Sequence, residues 1–131
     1  MFTRFNRTAA IGVLGALALA TSVAAPAYAK DGRVVKRGAC SSSSVWKLSV
    51  GPDSGAIETE FEVDSNRVGQ NWNVVITDNG VRVFAGSRTT TAPSGSFTVA
   101  RRIPNRSGID HIVASAKNPA TGETCVGRAA V

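Results

Sequence analysis

From residue 44 to the end of the chain, apolar and polar residues alternate with a period of two. The clearest example is AIETEFEV (56–63), in which Ile57, Phe61 and Val63 fall on one side of an extended strand and three glutamates on the other. No stretch of this region shows the 3.6-residue period of an amphipathic helix. The alternation therefore predicts an all-β protein.

Short segments rich in Gly, Pro, Asn and Asp divide the same region into about seven strands. Strands and turns at such regular spacing are typical of a single antiparallel β-sandwich with Greek-key connections, which we predict here. The predicted strands cover 44–50, 56–63, two strands within 71–84, 96–103, 109–118 and 124–131.

The N-terminus has the features of a secretory signal peptide. Two arginines precede an apolar run at 9–20, and AYA (27–29) is a small-x-small cleavage site. We predict cleavage after Ala29 and a secreted, extracellular mature protein. An uncleaved membrane anchor is the alternative, because the run is free of charge, but its Ala and Gly content makes it weakly hydrophobic.

Cleavage would leave a chain of the size of one small domain. Thirteen basic and nine acidic residues remain in it, so the net charge falls from +6 to +4. Four of the bases lie within residues 30–39, which we predict to be a flexible basic arm. The domain itself, predicted at 40–131, is then close to neutral.

Two cysteines, Cys40 and Cys125, lie near the two ends of the predicted domain. Secretion places them in an oxidising compartment, so we predict a disulfide between them. A zinc site is disfavoured, because zinc needs about four ligands and the chain has a single histidine. In the chain-entropy treatment, closing so long a loop stabilises the fold by about 4.5 kcal/mol.

The stretch NWNVVITDNGVRVF (71–84) predicts a β-hairpin, because Asn79-Gly80 suits a two-residue type I′ turn. A two-residue loop pairs Asp78 with Val81 and sends Trp72 to the core. It also places Val75 and Phe84 together on the outer face. A three-residue loop, which would turn Phe84 inward together with Arg82, is the less favoured register.

An exposed Val75–Phe84 pair would form a small apolar spot, flanked by Arg82 and extended along the strand to Arg88. These four residues are the predicted contact surface, although single exposed apolar residues are common on proteins and need no function.

No catalytic residues are evident in the sequence. His111 is the only histidine, no Gly-x-Ser-x-Gly motif surrounds a serine, and both cysteines are assigned to the disulfide. The glutamates at 58, 60 and 62 are explained by cross-strand pairs with Lys47 and Arg102, so we predict no metal and no cofactor. The sequence therefore predicts a protein that is not an enzyme, and hydrolase activity is the less favoured hypothesis.

Basic residues cluster at Arg101, Arg102 and Arg106 and in the arm. Nucleic-acid binding is not expected, because exposed aromatic residues to stack on bases are too few. Simple solvation explains the cluster, and attraction to an anionic surface, such as a cell-wall polymer or a membrane, is the alternative. That alternative predicts salt-sensitive retention that is lost when residues 30–37 are deleted. No stable membrane insertion is expected after cleavage.

The segment GIDHIVASAKNPATGETCVG (108–127) is similar to the last hairpin of an immunoglobulin-like or fibronectin III-like domain. The mature chain also resembles small secreted actinobacterial proteins of unknown function. The residues that carry this resemblance are Cys40, WKL (46–48), FEVDSNR (61–67), GQNW (69–72), DNG (78–80), APSGSF (92–97) and TGETC (121–125). It implies an immunoglobulin-like sandwich and carries over no catalytic or binding residue.

The function expected from these observations is a secreted, non-enzymatic binding or structural module at or outside the cell surface. Its partner would be a protein or a cell-wall polymer. The alternative is a secreted inhibitor or effector that docks an exposed loop into a protein partner, and RTTTAPSG (88–95) is the best candidate for that loop.

Overall fold

A computed structural model describes residues 32–131 and shows eight β-strands and no helix among them. The predicted signal peptide, residues 1–29, lies outside the described residues. The strands are β1 (Val34–Ala39), β2 (Val45–Asp53), β3 (Ala56–Asp64), β4 (Asn71–Asp78), β5 (Val81–Thr89), β6 (Ser96–Pro104), β7 (His111–Lys117) and β8 (Thr124–Ala130).

The strands form two antiparallel four-stranded sheets that pack face to face, which confirms the predicted β-sandwich. The first sheet has the order β1-β2-β3-β6, and the second has the order β5-β4-β7-β8. Strand β8 packs against β1 and β2 at one side of the sandwich, and β5 packs against β6 at the other.

The strand registers place the connections at two opposite ends of the sandwich. Tight hairpin turns follow β2 and β4 at one end, which we call the hairpin end. Four longer connections lie together at the other end, which we call the loop end. These connections are residues 40–44, 65–70, 90–95 and 118–123.

Period-two alternation holds along the central strands and builds the core between the sheets. In β3, Ile57, Phe61 and Val63 are fully buried, while the glutamates between them lie on the outer face and are partly exposed. Trp72 of β4 is also fully buried, and its ring lies 6.4 Å from that of Phe97 on β6. The sequence prediction for these inward-facing residues is confirmed.

The predicted flexible arm is wrong for most of its length, because Val34–Ala39 forms strand β1. This strand pairs with β2 along its whole length, from Val34 opposite Val50 to Ala39 opposite Val45. Its charged sequence gives little alternation, and the free edge of β2 is what determines its conformation. The folded region therefore begins before Cys40, and the strand count is eight instead of seven.

The hairpin turn is confirmed, but the outward position of Phe84 is wrong. Asn79 and Gly80 have φ angles of 48° and 81°, as a type I′ turn requires. A β-bulge between Ile76 and Thr77 then inserts Val83 as an extra residue and shifts the register by one. Ile76 consequently pairs with Phe84, and the Phe84 side chain faces the core.

The predicted disulfide is present and joins the two sheets at the loop end. Cys40, just after β1, is bonded to Cys125 of β8 across a separation of 85 residues. Two hydrogen bonds support the same junction: Ser41 N–H donates to the Thr124 carbonyl at 2.8 Å, and Thr124 N–H donates to the side-chain Oγ of Ser41 at 2.9 Å. The β1–β2 connection is thereby tied to β8.

Candidate functional site

The four residues of the predicted contact surface do not form one surface. Val75 pairs with Ala85 and lies on the outer face of the second sheet, while Phe84 is buried on the inner face. Arg82 pairs with Thr77 near the hairpin end. Only Phe84 and Arg88 are brought together, with the Arg88 guanidinium 5.0 Å from the centre of the Phe84 ring.

A second guanidinium, that of Arg101 on β6, lies 4.8 Å from the same ring. Phe84 and Arg88 belong to β5, and Arg101 belongs to the facing strand of the other sheet, so the three residues meet where the two sheet edges adjoin. We call them the arginine clamp. Gly86 makes room for the ring, because a Cβ at this position would lie 3.0 Å from Phe84 Cζ.

The clamp closes the side of the core with cations instead of aliphatic side chains. Phe84 is only 6% exposed, whereas both arginines are exposed. An aromatic face attracts a guanidinium through its quadrupole. Arg88 Nη1 also donates to the Ser87 carbonyl at 2.9 Å, and its other N–H groups point away from that bond. The arrangement therefore fixes two cations close together at the surface.

Among residues 32–131, neither clamp arginine forms an ion pair, in contrast to other arginines nearby. Arg102, the next residue of β6, donates from Nε to Asp53 at 3.1 Å. Arg106 lies 3.5 Å from the buried carboxylate of Asp78. The charges of Arg88 and Arg101 are therefore available to an external anion.

Acidic residues are distributed very unevenly over the described surface. Three carboxylates, those of Asp78, Asp110 and Glu123, are buried. The partly exposed ones all lie on β2 and β3 of the first sheet, where predicted cross-strand neighbours such as Glu62 with Lys47 are confirmed. They are Asp53, Glu58, Glu60, Glu62 and Asp64. Outside β2 and β3, no side chain of the described residues therefore presents an exposed carboxylate, and this includes β5 and β6, the two strands that form the clamp.

The predicted docking loop, 88–95, is firmly held at its base. Thr90 is buried, and its backbone exchanges two hydrogen bonds with the connection before β4: its N–H donates to the Gln70 carbonyl at 2.9 Å, and its carbonyl accepts from Gly69 at 2.8 Å. Thr90 Oγ1 also donates to the Arg67 carbonyl at 2.5 Å. The tip, 91–94, is exposed.

A polar cavity of about 340 Å³ opens at the loop end. Three of the four connections form its walls, and we call it the loop-end cavity. Its lining is Ser41, Ser42, Ser43, Ser44, Ser65, Arg67, Gln70, Thr121, Gly122 and Glu123. The sequence did not predict this cavity, because its walls come from segments up to about 80 residues apart.

Glu123 is the most buried charged residue of the loop-end cavity, with 8% of its surface exposed. One carboxylate oxygen accepts the backbone N–H of Ser44 at 3.2 Å, and the other accepts the Ser44 hydroxyl. Ser44 is itself buried, so these bonds satisfy two polar groups that are shielded from water. Glu123 thus fixes the connection between β1 and β2.

His111, the residue considered for catalysis, lies at the hairpin end of β7 and is exposed. Its backbone N–H donates to Asn79 Oδ1 at 2.9 Å, which ties β7 to the turn of the neighbouring hairpin. No nucleophile is hydrogen-bonded to its imidazole among the described residues. The backbone contact explains its position in the fold.

Two further findings concern membrane-spanning segments and similarity to known proteins. Within residues 32–131, no helix is present that is long and apolar enough to cross a membrane. The chain matches no protein-family profile, no curated protein and no solved structure.

Proposed function

We propose that this protein is a secreted, non-enzymatic binding module whose ligand is an anionic polymer outside the cell, such as a phosphate-bearing cell-wall polymer. The observation that carries the proposal is the arginine clamp. It holds two exposed guanidinium groups on one buried ring and provides no carboxylate partner for either within the described residues.

Stacking on Phe84 prepares the two arginines for binding. Ordering a long side chain costs conformational entropy when it first meets a ligand, and a side chain that is already packed loses less. Each planar guanidinium can donate two parallel hydrogen bonds to one phosphate or carboxylate. Since both guanidinium carbons lie within 5.0 Å of one ring centre, adjacent charged groups of a single polymer can reach both.

The distribution of charge supports a polymer over a small anion. Arg82 follows Val81 on the same edge strand as Arg88, and Arg67 lies in the connection that contacts Thr90. Among the described residues, all partly exposed side-chain carboxylates lie on β2 and β3. An anionic polymer therefore meets little electrostatic repulsion elsewhere on this surface.

Export and an immunoglobulin-like topology belong to the same proposal. The signal-peptide pattern and the disulfide both suit an oxidising exterior. The strand order resembles that of immunoglobulin-like sandwiches. Strands β2-β3-β6 correspond to A-B-E of that fold, and strands β5-β4-β7-β8 correspond to C′-C-F-G. Strand β1 is an additional edge strand.

Binding to inorganic polyphosphate, measured by titration calorimetry at several salt concentrations, tests the proposal. We expect log K to fall linearly with log salt, because binding releases counterions from the polymer. The R88Q/R101Q variant should bind about tenfold or more weakly at low salt, which corresponds to about 1.4 kcal/mol. Its salt dependence should also be less steep.

R102Q is the matched control, because Arg102 lies beside Arg101 on the same strand and already pairs with Asp53. It removes one positive charge and should weaken polyphosphate binding much less than R101Q alone. Equal losses of polyphosphate affinity in R101Q and R102Q would show that only the net charge matters and would contradict a binding site at the clamp. Binding that does not respond to salt would also contradict the proposal.

A second function, docking of the 91–94 tip into a protein partner, is favoured by one specific observation. The tip projects from the buried and hydrogen-bonded Thr90, so it is presented on a rigid base. A rigid exposed loop loses little entropy on binding. Replacement of Ala92 by a bulky Trp would abolish such binding and leave polyphosphate affinity unchanged, which separates the two functions.

A further inference from the structure

We infer that the loop-end cavity binds a small zwitterion, a molecule of amino-acid or dipeptide size that carries both an ammonium and a carboxylate group. The inference does not depend on polymer binding, because it rests on the connections at the loop end and not on the clamp. The volume of the loop-end cavity, about 340 Å³, lies within the range of about 300–1,000 Å³ for small-molecule sites.

The walls of the cavity are held in place before any ligand arrives. The disulfide Cys40–Cys125 and the two Ser41–Thr124 hydrogen bonds tie one wall to β8. Glu123 fixes Ser44 on the same wall. On the opposite wall, Ser65 N–H donates to the Gly95 carbonyl at 3.0 Å. A cavity built this way does not need to be ordered by its ligand.

Opposite charges line the cavity without pairing to each other. Glu123 supplies a negative charge from the connection before β8, and Arg67 supplies a positive charge from the connection before β4. Within residues 32–131, the Arg67 guanidinium has no hydrogen bond or ion pair, and the Glu123 carboxylate is hydrogen-bonded only to Ser44. A ligand with an ammonium at one end and a carboxylate at the other would complement both groups.

The remaining lining defines the ligand as polar. Apart from Gly122, it consists of hydroxyl and amide side chains, and it includes no aromatic residue on which the face of a sugar ring could stack. Gln70 Oε1 is shielded from solvent and has no hydrogen-bond partner among the described residues, which leaves an unsatisfied acceptor in the wall. An acceptor of this kind, in the same cavity wall lining as the buried Glu123 carboxylate, favours N–H donors.

The probe for this site is the zwitterionic dipeptide Ala-Ala, added at millimolar concentration to isotopically labelled protein and followed by amide NMR. We expect chemical-shift changes confined to the loop end, including the side-chain amide of Gln70. N-acetyl-Ala-Ala lacks the ammonium and Ala-Ala-amide lacks the carboxylate, so each should bind at least about tenfold more weakly, as expected when one charged contact is lost.

Two substitutions test the protein side of the contact. R67Q should abolish discrimination against Ala-Ala-amide, and E123Q should abolish discrimination against N-acetyl-Ala-Ala. Glutamine at 123 can still accept the Ser44 N–H and can donate to the Ser44 hydroxyl, so the wall should remain in place. E123Q should not weaken polyphosphate binding, which keeps failure of this inference distinct from failure of the clamp.

Three outcomes would overturn the inference. The first is an absence of shifts at the loop end with Ala-Ala. The second is equal binding of all three peptides, which would show that the cavity recognises neither the ammonium nor the carboxylate group. The third is loop-end shifts with maltose, a neutral hydroxyl-rich sugar, that are as large as those with Ala-Ala at the same concentration.

Discussion

Gly38 of β1 lies directly opposite Trp46 of β2, and the indole occupies the space that a side chain at 38 would need. A Cβ at Gly38 would lie 2.6 Å from Trp46 Cζ2. The other side of the ring meets Gly127 of β8, where a Cβ would lie 2.7 Å from Cζ3. One indole therefore fits between two glycines that belong to different sheets.

Alanine at Gly38 or Gly127 should destabilise the protein, because either methyl group forces the indole to move. We expect each substitution to lower the free energy of unfolding by about 1–3 kcal/mol, the usual cost of overpacking. Urea denaturation followed by fluorescence measures it. In a Trp46→Leu background the cost of Gly127→Ala should shrink, and an unchanged cost would show that the indole is not what the methyl group meets.

Phe84 and Val75 should respond to truncation very differently, because they lie on opposite faces of the second sheet. Phe84→Ala removes a buried ring and should cost about 3–5 kcal/mol. Val75→Ala removes two methyl groups from the outer face and should cost less than about 1 kcal/mol. Denaturant midpoints of the two variants decide the register. Similar losses would favour the hairpin pairing in which both residues share a face.

The disulfide should account for a large share of the stability. Thiol titration of the denatured, unreduced protein should find no free cysteine. Reduction, or the C40S/C125S double variant, should lower the free energy of unfolding by up to about 4.5 kcal/mol, because the unfolded chain loses a long closed loop. A loss below about 1 kcal/mol would contradict this account, because the Ser41–Thr124 contacts exist only in the folded state and cannot constrain the unfolded chain.

Glu123 should stabilise the fold through its hydrogen bonds more than through its charge. Glu123→Ala leaves the buried N–H and hydroxyl of Ser44 without acceptors, which should cost about 1–3 kcal/mol. Glu123→Gln retains an acceptor and adds a donor for the same two groups, so its cost should be clearly smaller. Equal costs in denaturant titrations would assign the effect to the negative charge.

Local sequence patterns are sufficient to predict those strands in which the alternation of apolar and polar residues agrees with the residue types of the flanking turns. Asn79-Gly80 predicted its turn correctly because only a few residues adopt positive φ twice in succession. Strand β1 was missed because its conformation is determined by the edge of β2, which lies beyond any local window. Deleting 30–37 would therefore remove most of β1, and charge substitutions are the cleaner test of polymer binding.

The two candidate sites depend on contacts that local patterns do not contain. Arg101 follows Phe97 and Val99 at the inward-facing spacing of β6, so its inward direction could have been anticipated. Its meeting with Phe84 could not, because the bulge at Val83 is what turns that ring to the core. Arg67 and Glu123 are 56 positions apart in the sequence, and only the packing of the two sheets brings them to the same cavity.

The separation of the loop end from the hairpin end determines how the molecule can be attached to a support. Strand β1 starts, and β8 finishes, at the hairpin end, where Val131 exchanges backbone hydrogen bonds with Asp110. A biotin or affinity tag fused after Val131 would therefore hold the protein with its cavity and its four connections facing the solution. Captured in that orientation, every molecule on a sensor surface would present the loop end to the analyte.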